Sequence, residues 1–316
     1  MITNIPTADD FTEHGFMFLN LAWDTVFGLL LDLADAEECN SDEWDTVIYD
    51  AEQTDNYWKA AKGPLSIAHA LVQQGAELTL KATIASVSPF LLVSVPPSGW
   101  PRGCDHEDKS FAEFRTIDAQ DLVRACNTVR SSALPEQFVS TFDKFRNQRN
   151  ALFHTVDNRL EFSVKKIIRY ILGIAQLIAP GQWPGIRKEY LEGMPACKVF
   201  DEMTIENQLC REMDIMIDLL EKRELIDWFS FNKSNRRYIC PCCYECLDHE
   251  CDPPYPRTAQ LKPNNGKSTN LHCFVCDKDM DVTRRACQEE GCKGNVISTT
   301  HDLECLTCFE LQGEIE

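Results

Sequence analysis

The chain has 316 residues, of which 44% are hydrophobic and 26% charged, so it can build one or two cores plus a small module. Its formal net charge of −19 argues against loose nucleic-acid binding over the whole surface, because such a charge repels RNA at long range. The longest apolar stretches, 16–34 and 167–179, are interrupted by polar residues, and neither follows a charged signal-peptide start. We therefore expect a soluble, cytoplasmic protein with no membrane segment.

Amphipathic helices are predicted along residues 1–180, the first domain. The segment 7–10 resembles a capping box, which begins a long helix with a stripe at Phe16, Leu19, Trp23, Val26, Leu30 and Leu33. Pro64 can occupy the first turn of a second long helix, whose apolar and small residues share one face at Ile67, Leu71, Gly75, Leu78, Ala82 and Ala85. Asp118 can cap a third helix and Pro135 can start a fourth. A fifth helix ends at Pro180.

The fourth predicted helix has an arginine in its apolar stripe. The stripe positions are spaced 4, 3, 4 and 3 residues apart, at Phe138, Phe142, Phe145, Arg149 and Leu152. A lone arginine at such a position is costly unless it is paired. One interpretation is a structural arginine bonded to a carboxylate or to helix-end carbonyls, with His154 as a helix-terminal residue.

The same segment resembles a known motif. Arg149-Asn-Ala-Leu-Phe-His154 is similar to the RNxxxH form of the R-x4-6-H motif of HEPN domains, small all-helical modules of many prokaryotic RNases, toxins and defence proteins. Residues 66–82 resemble the second long HEPN helix, and the helix order around the motif also fits. The resemblance covers roughly the first 180 residues, about the usual size of one domain. It implies a mainly α fold with a HEPN-like helical bundle, and a homodimer whose facing motif helices supply two histidines.

The activity that the resemblance implies is metal-independent endoribonuclease cleavage, in which the ribose 2′-hydroxyl attacks the adjacent phosphate. Histidine titrates near neutral pH, and arginine offers a bidentate fork to the developing charge. The implied catalytic residues are therefore Arg149, Asn150 and His154. Arg146 is a candidate for support.

Glu77 has two open interpretations. It is four residues from Lys81, so the two most simply form a surface ion pair. Alternatively, Glu77 neutralises Arg149 across the helix pair, as the HEPN resemblance implies.

The charge distribution favours a phosphate site near the motif. Residues 1–60 contain fourteen acidic residues against Lys59 alone, whereas 141–170 contain seven basic residues against three acidic ones. A solvated helix face would also explain this run, but its coincidence with the motif favours phosphate binding. We assign RNA-phosphate contacts to Lys144, Lys165, Lys166 and Arg169.

Residues 181–235 are predicted to be a helical connector, packed on the first domain or acting as a dimer element. An amphipathic helix is predicted there from Ile205, Leu209, Met213, Ile217 and Leu220.

Residues 236–316 are predicted to be tandem zinc ribbons. Eleven of the sixteen cysteines follow residue 239, and a two-residue gap lets both sulfurs of one turn bind a single tetrahedral ion. The first zinc ion is assigned to Cys240, Cys243, Cys273 and Cys276, and the second to Cys287, Cys292, Cys305 and Cys308. Disulfides are the alternative, and they are disfavoured in a cytosolic chain. Four-cysteine shells leave no place for water, so both zinc ions are expected to be structural.

Four further ligand-type residues accompany the first group, namely Cys242, Cys246, His249 and Cys251. They could replace a ligand of the first site or hold a third ion, and we expect no third ion.

Three functions follow from these patterns. The first is the endoribonuclease, as a toxin or defence effector, with RNA as substrate and a regulatory or antitoxin protein as a further candidate partner. The second is a non-catalytic HEPN-like scaffold that binds a nucleotide or protein, with the ribbons docking protein. The third is a zinc hydrolase, which the closed metal sites disfavour.

Overall fold

The computed structural model describes residues 1–39, 51–154, 161–199, 203–245, 257–299 and 303–313. Contacts divide the chain into two compact units, Met1–Ile178 and Ala179–Glu316. The first unit ends close to the predicted boundary at residue 180. Residues 181–235, which the sequence assigned to a separate connector, belong to the same unit as the cysteine-rich tail.

The first unit is helical, as predicted. Its helices are α1 (Ala8–Cys39), α2 (Ala51–Ala60), α3 (Lys62–Ala85), α4 (Ala119–Val129), α5 (Glu136–His154) and α6 (Val164–Ile178). Two short strands, β1 (Ile2–Thr3) and β2 (Lys109–Ser110), form a parallel pair.

Helix α1 begins with the predicted capping box and packs closely on α3. The Thr7 amide donates to Asp10 Oδ2 at 2.7 Å, and the Asp10 amide donates to Thr7 Oγ1 at 3.1 Å. A Cβ on Gly75 would lie 2.7 Å from a Leu19 methyl, so only glycine permits this approach. Residues 8–36 are long and apolar enough to cross a membrane by length and composition, a test that a buried core helix also passes. In this unit Leu19 and Trp23 are fully buried.

Helix α3 differs from the prediction in the face that it buries. Ile67, which the predicted stripe placed on the buried face, is 59% exposed. His69, Gln73 and Glu77 are instead 2%, 0% and 8% exposed. The physical reason is that α3 packs against α1, α4, α5 and α6, so most of its circumference is buried and polar residues must face a neighbour.

The second unit combines helices with a small sheet. Its helices are α7 (Trp183–Gly193), α8 (Met203–Leu219), α9 (Lys222–Phe229) and α10 (Pro241–Glu245). Its antiparallel strands lie in the order β3 (Ala259–Leu261), β4 (Asn270–Cys273), β5 (Asp279–Thr283) and β6 (Ile297–Ser298). The predicted apolar stripe of α8 is confirmed, since all five of its members are buried.

Candidate functional site

The arginine of the motif is bonded to a carboxylate from α3. The apolar stripe of α5 is buried at Phe138, Phe142 and Phe145, and Arg149 is the next residue of this stripe. Arg149 Nη2 donates to Glu77 Oε1 at 3.0 Å, with the two side chains 26% and 11% exposed. Of the two interpretations of Glu77, the pairing with Arg149 is therefore the observed one. The surface pair with Lys81 was wrong, because Lys81 Nζ donates to Thr116 Oγ1 at 3.2 Å.

A buried polar stripe on α3 supports this ion pair. Gln73 Nε2 donates to the same Glu77 Oε1 at 3.2 Å, so Gln73 and Arg149 share one carboxylate oxygen. One turn earlier, His69 Nε2 lies 3.1 Å from Gln148 Oε1. The His69 ring also stacks on Phe145 with centroids 4.1 Å apart, and burial lowers the pKa of His69 to about 4. His69 is therefore neutral at pH 7.

Several atoms of this network have no hydrogen-bond partner among the described residues. They are His69 Nδ1, Gln73 Oε1, Arg149 Nε and Tyr170 Oη. Tyr170 lies on α6 and packs on Phe145 with centroids 4.4 Å apart, and burial raises its pKa well above the ordinary value. Buried polar atoms normally pair with protein or with ordered water, so this seam is suited to hold water beside Arg149.

The remaining motif residues lie toward the end of α5. Asn150 is exposed, and His154 is the last residue of the helix. The side chain of His154 lies outside the described part of the chain. Five residues of uninterrupted helix separate Arg149 from His154 by about 140° and roughly 7.5 Å of rise. The two groups can therefore meet one phosphate only through long side chains or past the helix end.

The predicted phosphate contacts have different environments. Lys144 and Lys166 are exposed, whereas Lys165 and Arg169 are half-buried. Arg146 Nη2 lies 3.4 Å from Asp143 Oδ1 on the same helix, so this carboxylate compensates part of the charge of Arg146.

Sequence reasoning missed His69, Gln73, Gln148 and Tyr170. A signal for the first two was present, because polar residues recur every fourth position at 69, 73 and 77, on one face of the predicted helix. The partners from α5 and α6 have no such signal, because they are chosen by tertiary packing.

Two four-cysteine groups in the second unit could each hold a metal ion. They have the memberships predicted, namely Cys240, Cys243, Cys273 and Cys276, and Cys287, Cys292, Cys305 and Cys308. The closest sulfur pairs are 3.7 and 3.6 Å apart in the first group and 3.7 and 3.9 Å in the second. A tetrahedral ion with bonds of about 2.3 Å requires sulfurs about 3.8 Å apart, whereas a disulfide bond is about 2.05 Å. The spacing therefore fits metal ligation.

Local backbone geometry prepares both groups for thiolates. The amides of Cys243 and Val275 point at Cys240 Sγ and Cys273 Sγ, both at 3.4 Å. Hydrogen bonds from Cys240 and Cys243 lower the pKa of Cys273 well below its ordinary value, whereas hydrogen bonding with Cys210 and Cys240 raises the pKa of Cys243. In the second group, a Cβ on Gly294 would lie 2.5 Å from Cys305 Sγ, so no larger residue fits there. Each ion would be enclosed by four sulfurs, the arrangement of a structural site.

Among the extra ligand-type residues, only Cys242 is described. Its sulfur lies 3.9 Å from Met280 Sδ and is not a member of either four-cysteine group. Cys246, His249 and Cys251 lie outside the described residues. Within the described ranges, no third metal-binding group is found.

Comparisons of the chain with models of known protein families, with curated proteins and with solved structures give no match. The HEPN resemblance therefore stays an expectation from the residues.

Proposed function

We propose that the first unit is a HEPN-like domain that cleaves RNA without a metal ion, through attack of a ribose 2′-hydroxyl on the neighbouring phosphate. The observation that carries the proposal is the bond from Arg149 Nη2 to Glu77 Oε1 at 3.0 Å. A carboxylate from another helix orients the arginine while 26% of its side chain stays exposed. A guanidinium has five N–H donors and this bond uses one; Arg149 Nε is buried, so the remaining donors on the two terminal nitrogens are the ones available for phosphate oxygens.

The reaction needs a base, an acid and a cation. The 2′-oxygen loses its proton to a neutral histidine and bonds to phosphorus, while the bond from phosphorus to the 5′-oxygen breaks and that oxygen takes a proton from a protonated histidine. The products are a cyclic phosphate and a 5′-hydroxyl. His154 supplies one imidazole per chain, so a two-fold dimer with facing α5 helices would supply both. Arg149 stabilises the charge on the phosphorane oxygens, and Asn150 orients one of these groups.

Exposed cations near the motif favour RNA as the substrate. Lys144 lies on α5 and Lys166 on α6, and both are exposed. They come from the segment 141–170, which is basic in a chain of net charge −19. Phosphate contacts of this kind position a nucleic acid and make its affinity depend on salt.

The bound ions are proposed to be two zinc ions that fold the second unit and take no part in cleavage. Zinc suits the four-thiolate shells, and such shells leave no open position for a reacting water. Zinc removal is therefore expected to affect folding of the second unit and not the chemical step.

The test compares wild type with Arg149→Ala and His154→Ala on total cellular RNA. Cleavage is expected to fall by roughly 10²–10⁴-fold in each variant, the usual contribution of a positioned acid–base group. A 2′-deoxy substitution at the cut site should block the reaction, whereas a chelator that leaves the fold intact should not.

Matched controls separate the site from general surface effects. Arg223→Ala removes an arginine whose side chain is 92% exposed on α9, and His106→Ala removes a histidine whose side chain is 82% exposed. Both controls are expected to cleave like wild type. Equal cleavage by all five proteins would contradict the proposal.

A non-catalytic scaffold is the second candidate, and the same ion pair favours it. A half-buried arginine that ties α5 to α3 through Glu77 has a structural role without any chemistry. The scaffold is supported instead if no protein cleaves RNA, but a nucleotide binds stoichiometrically to wild type and not to Arg149→Ala.

A further inference from the structure

Two exposed arginines converge on one turn of the second four-cysteine group, and the exposed Lys293 lies next to Cys292 in the same group. Arg236 donates from Nη2 to Thr307 Oγ1 at 3.2 Å and from Nη1 to the Lys293 carbonyl at 3.4 Å. Arg257 donates from Nη2 to the Thr307 carbonyl at 3.3 Å. Arg236, Arg257 and Lys293 are all exposed, and they come from three segments distant in sequence. We call these three cations around Thr307 the Thr307 patch.

The charges of the Thr307 patch are not compensated by carboxylates in the part of the chain that the structure describes. Some arginines elsewhere are paired with carboxylates, as in Arg115–Asp118 at 2.9 Å and Arg187–Glu212 at 2.7 Å, whereas Arg285, like the arginines of the patch, donates to a carbonyl. Within the described ranges, no carboxylate oxygen lies within 4.0 Å of a side-chain nitrogen of the patch. In a chain with 50 acidic residues against 31 basic ones, an excess of cations over carboxylate partners at one turn indicates a use for positive charge there.

A counter-ion role for the metal site explains only part of this excess. Four thiolates and one divalent ion carry a net charge of −2, which three cations exceed. The two guanidiniums also bond to oxygen atoms of Thr307 and Lys293, and neither donates to a cysteine sulfur among the described residues. The Arg236 guanidinium also lies over the Tyr238 ring, 5.5 Å from its centroid, and both arginines stay exposed to solvent.

One ring of an aromatic pair lies close in sequence to Thr307. Phe309 follows Thr307 by two residues, and its ring centroid lies 3.8 Å from that of Tyr244. Phe309 has a φ of 66°, a conformation that a bulky residue adopts at a cost. Both rings are half-buried, so part of their surface is accessible. An aromatic ring kept at a strained position two residues from Thr307 suits base stacking beside phosphate binding.

We propose that the Thr307 patch binds single-stranded RNA, with phosphates on Arg236, Arg257 and Lys293 and a base on the ring of Phe309. We infer a single strand and not a duplex, because a single strand presents both its phosphates and its unstacked bases, whereas a duplex hides the faces of its bases. The choice of RNA rests on the proposed function. The patch would give the second unit the role of holding the substrate strand.

The experiment measures binding in the full-length, zinc-loaded chain carrying His154→Ala, so that the probe is not cut. The probe is a fluorescein-labelled oligouridylate of about 12 nucleotides, long enough for one single-strand site. The test variant is Arg257→Gln/Lys293→Gln. The matched control is Lys222→Gln/Arg223→Gln, which removes the same charge from exposed positions of α9 in the same unit.

The test variant is expected to weaken binding by roughly tenfold or more and to reduce the slope of log affinity on log salt by about 1.4, which is about 0.7 for each lost phosphate contact on a single strand. Phe309→Asn should weaken binding of oligouridylate and leave binding of an abasic strand unchanged, since asparagine tolerates the positive φ. If the test variant loses metal, Lys293→Gln alone replaces it, with an expected slope change of about 0.7.

Equal affinity of the test variant and wild type, or equal loss in the control, would overturn the proposal. An abasic strand that binds as well as oligouridylate would remove the stacking role of Phe309. Binding that depends on the patch in a wild type that cuts no RNA would remove the proposed function and keep the patch. If wild type cleaves RNA but the patch variants bind it as well as wild type does, the proposed function is kept and the role of the patch is removed.

Discussion

Glu77 Oε1 on α3 accepts hydrogen bonds from both Arg149 Nη2 on α5, at 3.0 Å, and Gln73 Nε2 on its own helix, at 3.2 Å. One carboxylate oxygen therefore fixes the motif arginine and is itself fixed by a fully buried amide. Since Glu77 is 8% exposed, losing Arg149 leaves a buried charge without its cation, whereas losing Gln73 removes a hydrogen bond from the same oxygen.

A double-mutant cycle of Glu77→Gln and Arg149→Gln should show a coupling free energy of about 1–3 kcal/mol, the range for contacting charged partners. Native-state hydrogen exchange of the α3 amides measures it within the first unit. Arg115 and Asp118 form the matched exposed pair, with side chains 66% and 56% exposed, and their coupling should stay below about 1 kcal/mol. Additive single changes at Glu77 and Arg149 would show that the bond contributes no stability.

A second buried ion pair lies in the second unit and predicts an asymmetric response to substitution. Arg187 and Glu212 are each 1% exposed, with bonds of 2.7 and 3.1 Å from Nη2 and Nε. Arg187→Met alone should cost about 3–5 kcal/mol, because it removes the cation from the buried Glu212 carboxylate and leaves the neutral Gln208 amide, 2.9 Å away, bonded to it. Arg187→Met/Glu212→Leu should recover most of this loss. Hydrogen exchange of the α7 and α8 amides is the measurement, and a double variant as unstable as the single one would contradict the argument.

The metal groups predict two independent ions with fixed ligand sets. Elemental analysis should find two zinc ions per chain in wild type, one in Cys240→Ser and one in Cys305→Ser, because each group loses a ligand. Cys242→Ser is the matched control and should keep both ions, since Cys242 belongs to neither group. A folded protein without metal, or with these cysteines in disulfides, would contradict the assignment.

Local patterns predicted much of this molecule. The stripe of α8 and both four-cysteine groups were predicted from helical period and cysteine spacing. These signals lie within short segments, so they can be read without knowing the neighbours.

The sequence could not predict which residues meet across elements. Ile67 was assigned to a buried face and is exposed, because α3 is surrounded and its polar stripe turns toward α5. The partners His69–Gln148 and Arg187–Glu212 are separated by 79 and 25 residues, and no spacing rule connects them. The side chain of His154 lies outside the described residues, so its catalytic assignment remains a prediction from the motif.

The low pKa of the buried His69 leads us to expect a loss of stability in mild acid. Its pKa is lowered to about 4 by burial, whereas an unfolded histidine titrates near 6.5. Below pH 6.5 the unfolded state binds a proton that the folded state does not, so stability is full above pH 6.5 and falls as the pH drops toward 4. By pH 5 the loss from this residue is about 2 kcal/mol.

The measurement is the change in unfolding free energy between pH 7 and pH 5 in wild type and His69→Phe. The variant keeps a ring stacked on Phe145 and removes the titrating nitrogens, so its loss should be smaller by about 2 kcal/mol. His106→Ala, at a side chain 82% exposed, should change as wild type does. The same acid response in wild type and His69→Phe would show that His69 is not the source.

Phe153 predicts how the two copies meet in the proposed dimer. It lies on α5 next to His154 and is 64% exposed, an unusual place for a large apolar ring beside a polar motif. Facing α5 helices would bury both copies of this ring and bring the two histidines together. Phe153→Glu would place two carboxylates at that interface, and like charges there cost several kcal/mol. Sedimentation should therefore find a dimer for wild type and a monomer for Phe153→Glu at micromolar concentration, and the variant should also lose RNA cleavage.

Val87→Glu is the matched control, since Val87 is 62% exposed and lies outside α5, and it should remain dimeric and active. A wild type that cleaves RNA as a strict monomer would remove the need for a second histidine, and the acid would then have to come from within one chain.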